Sequence, residues 1–278
     1  MTSLPSNLLK PLTVSGLYLN NTVSHAIVRA LKRHGVELTF GQSLPSMLHL
    51  AAEQAGMKQI AYRTENAGGY MADAYARLTG KPAIVTAQNG PAAALLVAPL
   101  AEAQKASIPV IALVQDVSRL QNDKNAFQDL DHIGLFSAVT KWVRRVGDAS
   151  RVDDYIDQAF AMACSGRPGP VVLLLPSDLL VEPAAPSTRR ANLGHFPLDP
   201  TVPPASAIAE VARILAQADR PLVIAGGGVH LSHGAAALTA LATSGARPSA
   251  KNSFGKPTRN PSSGFTELEL PSLQECMR

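Results

Sequence analysis

Three short polar stretches carry the side chains best placed to do chemistry. Arg63-Thr64-Glu65-Asn66-Ala67-Gly68-Gly69 sets a carboxylate where a strand ends and a helix begins. A carboxylate at such a corner sits beside free backbone N–H groups, and the two glycines leave room for a ligand or another chain to come close. Glu65 therefore either complements a helix dipole or meets a ligand. Gln88-Asn89-Gly90-Pro91 is a polar turn before another helix, and Asn125-Ala126-Phe127-Gln128-Asp129 lies in the longest loop. Gly226-Gly227-Gly228 is a tight turn or a nucleotide contact; Leu231 stands where a GxGxxG pattern needs its last glycine. Lys141 with Arg144 and Arg145 forms the notable basic cluster, which a solvated strand would also explain.

These stretches are positioned by alternating patterns. Residues 22–33 are amphipathic, with Val23, Ile27, Ala30 and Leu31 on one face and His34-Gly35 as the stop. A strand is expected at 36–40, a helix at 44–54, a strand at 59–63, a helix at 66–78 and a strand at 82–87. Gly90-Pro91 opens a helix reaching about Lys105, since proline is tolerated at the first helical position. Residues 108–115 are almost continuously apolar, as in a strand buried on both faces. Strands at 141–146 and 171–175 bracket a helix at 151–164. Strict alternation with short turns predicts an α/β fold, a doubly wound parallel sheet with helices on both faces, whose ligands bind outside the carboxyl ends of the strands. This first domain spans 1–180. A Pro-rich stretch without periodicity follows, read as a linker over 181–204. A helix at 205–217, a strand at 221–225 and a helix at 232–243 predict a partial second Rossmann-like domain over 205–250. The pattern fails across 251–278.

Composition narrows the function classes. The chain has 278 residues, 46% hydrophobic and 17% charged, enough apolar side chains for a sizeable core and too many for a disordered chain. Cys164 and Cys276 lie far apart, against a disulfide scaffold or a multi-thiolate zinc site and in keeping with a reducing compartment. The net charge is +4, with no basic stripe interleaved with aromatics, so no nucleic acid is expected as partner. No apolar run reaches the roughly 18 residues of a membrane span, and the first residues lack a signal-peptide core. A cytoplasmic protein that does not span a membrane is expected.

The segments RTENAGGYMADAYARLTGKPAIV, NGPAAALLVAPLAEAQKASIPVIALV, AFQDLDHIGLFSAVTKW and SGRPGPVVLLLPSDL, in that order, resemble the N-terminal pyrimidine-binding domain of thiamine diphosphate-dependent enzymes, in the acetolactate synthase-like branch. A weaker likeness continues through PLVIAGGGV into the family's central domain. The resemblance implies thiamine diphosphate as cofactor and decarboxylation of a 2-oxo acid such as pyruvate, with or without transfer to a second oxo acid. It gives Glu65 the task of hydrogen-bonding ring nitrogen N1′ of the aminopyrimidine, so that the imino tautomer can take the thiazolium C2 proton. By the same resemblance Asn89, Gly90 and Pro91 line the pyrimidine pocket, and Phe127, Gln128 and Lys141 lie near the substrate entrance. Gly226, Gly227 and Gly228 could touch FAD. A homodimer, or a partner chain carrying the diphosphate-binding domain, is the expected assembly.

Departures from the family concern substrate more than fold. Residues 41–45 read Gly-Gln-Ser-Leu-Pro where Gly-x-Pro-Gly is usual, Thr64 replaces a common histidine, and Ala92 replaces a common glycine. The lack of a His-His pair argues against a pyruvate decarboxylase-like reading, and the presence of Glu65 against a glyoxylate carboligase. Magnesium and diphosphate are held in the family by a Gly-Asp-Gly motif with a downstream Asn pair, on a separate domain; Gly147-Asp148-Ala149 does not meet that pattern. The chain is thus expected to ligate no magnesium and to supply half of a cofactor site, inactive or very weak alone. Displacing the codons of residues 259–264 by one base permits a family-like Glu-Thr-His-Pro-Leu, so the tail reads as frameshifted and the chain as a truncated frame. A subunit of a split enzyme, or a non-catalytic interaction module, is the rival reading.

Overall fold

Helix α1 (Val23–Arg33) forms as its pattern requires, burying Val23, Ile27, Ala30 and Leu31. In a computed structural model of the chain, residues 21–187, 189, 202–218 and 221–244 are described. They fall in two units, residues 1–201 and 202–278. In the first, strands β1 (Leu38–Phe40), β2 (Lys58–Ile60), β3 (Ala83–Ala87), β4 (Val110–Asp116), β5 (Trp142–Arg145) and β6 (Val171–Pro176) make one sheet in the order β2-β1-β3-β4-β6-β5. All pairs are parallel, with Ile84 opposite Ile111 and Ile111 opposite Val171. The α/β expectation is met.

The inner strands β3, β4 and β6 are almost entirely buried and mostly apolar because both of their faces are covered, with Thr86, Gln115 and Asp116 as the polar side chains toward their carboxyl ends. Ile84, Ile111, Leu113, Val171, Leu173 and Leu175 project to one face. There they pack with α1, α2 (Ser46–Gln54), α7 (Val152–Cys164) and α8 (Ser177–Val181). The other face meets α3 (Glu65–Thr79), with α5 (Val97–Ala106) packed on it, while α6 (His132–Ser137) lies against β5.

Several boundaries differ from the sequence expectation, each for a local reason. The helix expected from Gly90-Pro91 to Lys105 divides at Leu96 into α4 (Pro91–Leu95) and α5. Pro99 has no N–H and its ring conflicts with the carbonyl four residues back, at Leu95. Strand β2 stops at Ile60, because Gly41 N–H takes the Ile60 carbonyl and the Gln42 amide takes those of Tyr62 and Arg63. Two short helices went unforeseen. In α6, the side chain of Asp131 caps Gly134 N–H; α8 buries Leu179 and Leu180 in the core at the end of the first domain and runs one residue into the expected linker.

The second unit contributes α9 (Ala205–Gln217), α10 (Gly227–Leu231) and α11 (Ala235–Ser244). The strand expected at 221–225 is not formed; a strand exists only as part of a ladder, and the described residues of this unit offer no partner. Leu222 and Ile224 are exposed. The tail at 251–278, Cys276 and much of the 181–204 stretch lie outside the described residues.

Candidate functional site

The strand order sets where a ligand can lie. The chain leaves β1 toward β2 and leaves β3 toward β4, so the loops after β1 and β3 diverge and open a crevice at their carboxyl ends. Gln42 follows β1 there, and Asn89 and Gly90 follow β3. The loop after β2 is drawn into the same place by two ties. The Gln42 amide donates to the Tyr62 carbonyl at 2.9 Å and the Arg63 carbonyl at 2.7 Å, and the Tyr62 hydroxyl donates to the Thr86 carbonyl at the end of β3. The phenol pKa of Tyr62 is raised by burial and by the charge of Glu65.

Glu65 is the first residue of α3. Thr64 caps that helix, its hydroxyl accepting from Ala67 N–H at 3.4 Å. Glu65 itself is half-buried and makes no ion pair or hydrogen bond with another described side chain. The adjoining glycines serve packing within the chain rather than the approach of a ligand, which corrects the expectation from sequence. A Cβ on Gly68 would lie 2.2 Å from the Tyr62 ring, and one on Gly69 would lie 2.4 Å from Pro99.

Asn89, Gly90, Phe127 and Gln128 come together. Asn89 Nδ2 donates to the carbonyls of Phe127 at 3.2 Å and Gln128 at 3.0 Å. Gly90 has φ +67°, and a Cβ there would meet Gln128 Cβ at 2.6 Å and its carbonyl oxygen at 2.8 Å, so only glycine fits. Pro91 begins α4. The Phe127 ring is 81% exposed, whereas Gln128 Oε1 is buried without a hydrogen-bond partner. A buried acceptor left unpaired costs about 1–3 kcal/mol, which a donor on a ligand would offset.

Lys141 stands apart from this group. It precedes β5 at the amino edge of the sheet, where its ammonium donates to the carbonyls of Met162 and Ser165 and caps the end of α7. Burial lowers its pKa. The glycines at 226–228 belong to the second unit; Gly226 is the N-cap of α10, and a Cβ on any of them would meet open space. Among the described residues no group of three or more His, Cys, Asp or Glu side chains gathers to hold a metal, and no helix is long and apolar enough to cross a membrane.

Behind the Gly90 turn lies a buried polar chain that the sequence reading missed. Gly90 N–H donates to His132 Nε2 at 2.8 Å, and His132 Nδ1 lies 3.1 Å from Asp116 Oδ1. Arg145 Nε lies 2.7 Å from Asp116 Oδ2, and Val117 N–H donates to Oδ1 at 2.9 Å. The side chains of His132 and Asp116 are fully buried. Burial alone would raise the Asp116 carboxyl, but His132, Arg145 and the Val117 N–H hold it below its ordinary value. A signal was present: Asp116 closes a central strand whose first five residues are apolar, at the carboxyl end where ligands bind.

Comparison with known proteins agrees with this geometry. Residues 21–135 match the family model described as "Thiamine pyrophosphate enzyme, N-terminal TPP binding domain". The chain is 36% identical over 229 residues to the acetolactate synthase large subunit of Parasynechococcus marenigrum, covering 78% of this chain and 36% of that protein. It is 32% identical over 207 residues to a chloroplastic acetolactate synthase of Arabidopsis thaliana, covering 73% and 31%. It is 33% identical over 233 residues to a probable acetolactate synthase large subunit of Methanocaldococcus jannaschii, covering 79% and 38%. The chain spans about a third of the length of these curated relatives. The resemblance read from the motifs is borne out.

Proposed function

We propose that the first unit, which carries the N-terminal TPP binding domain of the thiamine pyrophosphate enzymes, contributes the aminopyrimidine half of a thiamine diphosphate site in an acetolactate synthase-type enzyme. The observation that carries this reading is Glu65: a carboxylate with no competing ion pair, first in its helix, on a loop tied to the carboxyl ends of β1 and β3. When bound, thiamine diphosphate would supply an aminopyrimidine that takes a proton from its own thiazolium ring. Glu65 would hold or release a proton at the pyrimidine ring nitrogen. Asn89 fixes the loop of residues 127–128, and the Gly90–Gln128 contact would form the pocket wall.

Diphosphate and magnesium would be held by the rest of the enzyme, and the substrate would be a 2-oxo acid such as pyruvate. Exposed apolar side chains beside the site, Tyr70 at 44%, Met71 at 39% and Leu95 at 46%, support a face that a second copy or a partner chain covers. FAD at Gly226, Gly227 and Gly228 remains part of the same reading, with open space beside all three glycines. A cytoplasmic location belongs to the same reading. Calorimetric titration of the chain with thiamine diphosphate and magnesium, alongside pyruvate turnover in the presence of a relative's remaining domains, tests it. Glu65→Gln should reduce turnover by about a hundredfold or more. Equal turnover would remove Glu65 from the mechanism, and turnover by the chain alone would assign it the diphosphate ligands as well.

A further inference from the structure

The buried chain behind Gly90 has no part in the site as derived so far. A buried carboxylate and imidazole are costly unless their contacts are used. Their contacts converge on one atom of the candidate pocket. The Gly90 amide is taken by His132 Nε2, so that nitrogen is an acceptor and the ring proton resides on Nδ1, which lies 3.1 Å from Asp116 Oδ1 without hydrogen-bond alignment. Asp116 in turn accepts from the Val117 N–H after β4, and the Arg145 guanidinium lies beside it as an ion pair, Nε 2.7 Å from Oδ2, without hydrogen-bond alignment. Arg145 is held from its other side by the Asn122 side chain. The Gly90 carbonyl accepts from Ala94 N–H in α4. The Gly90 N–H is therefore committed within the chain, while its carbonyl, already accepting from Ala94 N–H, keeps a second lone pair.

We propose that His132, braced by Asp116 and Arg145, is a positioning residue of the pyrimidine half-site: by capturing the Gly90 N–H it holds the left-handed Gly90 turn against Gln128 and so sets the shape of the pocket wall. This rests on the reading of the site given above. His132 touches neither cofactor nor substrate. It acts on them through the turn. Loss of the acceptor leaves the Gly90 N–H buried and unpaired, and the turn relaxes away from Gln128.

The test uses the full chain in solution. In wild-type protein labelled with 15N-histidine, His132 should show the neutral tautomer protonated at Nδ1; a charged ring or the Nε2–H tautomer overturns the proposal without any variant. His132→Leu removes the acceptor, while His132→Gln places an amide oxygen near the position of Nε2. The Gly90 amide should exchange with solvent about tenfold or more faster in His132→Leu, with Leu113 in the sheet core unchanged, and His132→Gln should restore most of the protection. Unchanged Gly90 exchange in the leucine variant overturns the proposal. Titration with the 4-amino-2-methylpyrimidine fragment of thiamine, followed at the Glu65, Asn89 and Gly90 amides, gives the second arm. Its dissociation constant should rise about fivefold in His132→Leu and little in His132→Gln; equal affinities overturn the positioning role. A wild-type chain whose amides ignore the fragment would sink the pyrimidine reading itself, a result distinct from a failure of the exchange arm.

Discussion

A few side chains set the character of the site by what they leave free and what they consume. Glu65 is left free, while Gly90 has both backbone groups engaged. Asp116 shows how strongly burial is balanced by partners at this scale. Its fully buried carboxylate faces His132 and Arg145, so Asp116→Asn should destabilise the protein by about 3–5 kcal/mol near neutral pH, by leaving a charge without its counterpart. The sign of the pH dependence follows from the lowered pKa. A depressed folded value means that the stabilisation is complete above the unfolded value of about 3.9 and is lost as pH falls through the lower folded value. Urea unfolding of wild type and variant should therefore differ at pH 7 and converge on acidification below about pH 4. A gap of constant size across that range would show that the ion pair is not what Asp116 contributes.

Helix α3 is the element that decides whether Glu65 reaches the crevice. The helix can lie close to the loop before it because Gly68 leaves space for the Tyr62 ring, and that ring carries the hydroxyl that ties the loop to Thr86. Gly68→Ala should cost about 1–3 kcal/mol in thermal or urea unfolding, since the added methyl overlaps an aromatic ring that has little freedom to move. Adding Tyr62→Ala to that variant should cost less than the two single changes summed, because the second removes the atoms that the first collides with. Additive costs would place the ring and the glycine in separate environments. The unforeseen α6 has a comparable part on the other side of the pocket: its first residue is His132.

For the whole molecule, the first unit is a covered parallel sheet that still shows apolar side chains along α3 and α4. Isolated exposed hydrophobes are ordinary, but Tyr70, Met71 and Leu95 lie on the two helices that follow the site's own loops. Association through this face predicts that Met71→Glu weakens self-association by about tenfold or more in sedimentation velocity, through burial of an unpaired charge, with the far-ultraviolet spectrum unchanged. Wild-type protein that stays monomeric at high concentration would leave the face without a partner of its own kind.

Much of the fold was legible because hydrophobic periodicity is a local property. The near-continuous apolar run of residues 108–115 reads as a strand buried on both sides, and the amphipathic stretch after Thr22 as a helix with one buried face, and both form. The placement of Glu65, Asn89 and Gly90 just after strands was legible for a related reason, since turn chemistry marks where strands end. Local pattern could not say which loops meet. His132 and Asp116 are 16 residues apart in number and read singly as a helix residue and a strand end; only the crossing from β4 over β6 to β5 brings them, with Arg145, behind Gly90. The strand expected at 221–225 failed for the complementary reason, because a strand is defined by its neighbours and its own residues cannot supply them. Residue order thus determined the elements and the chemistry available at their ends. Tertiary structure decided which of those groups share a pocket, because long-range pairing is set by the packing of the whole sheet.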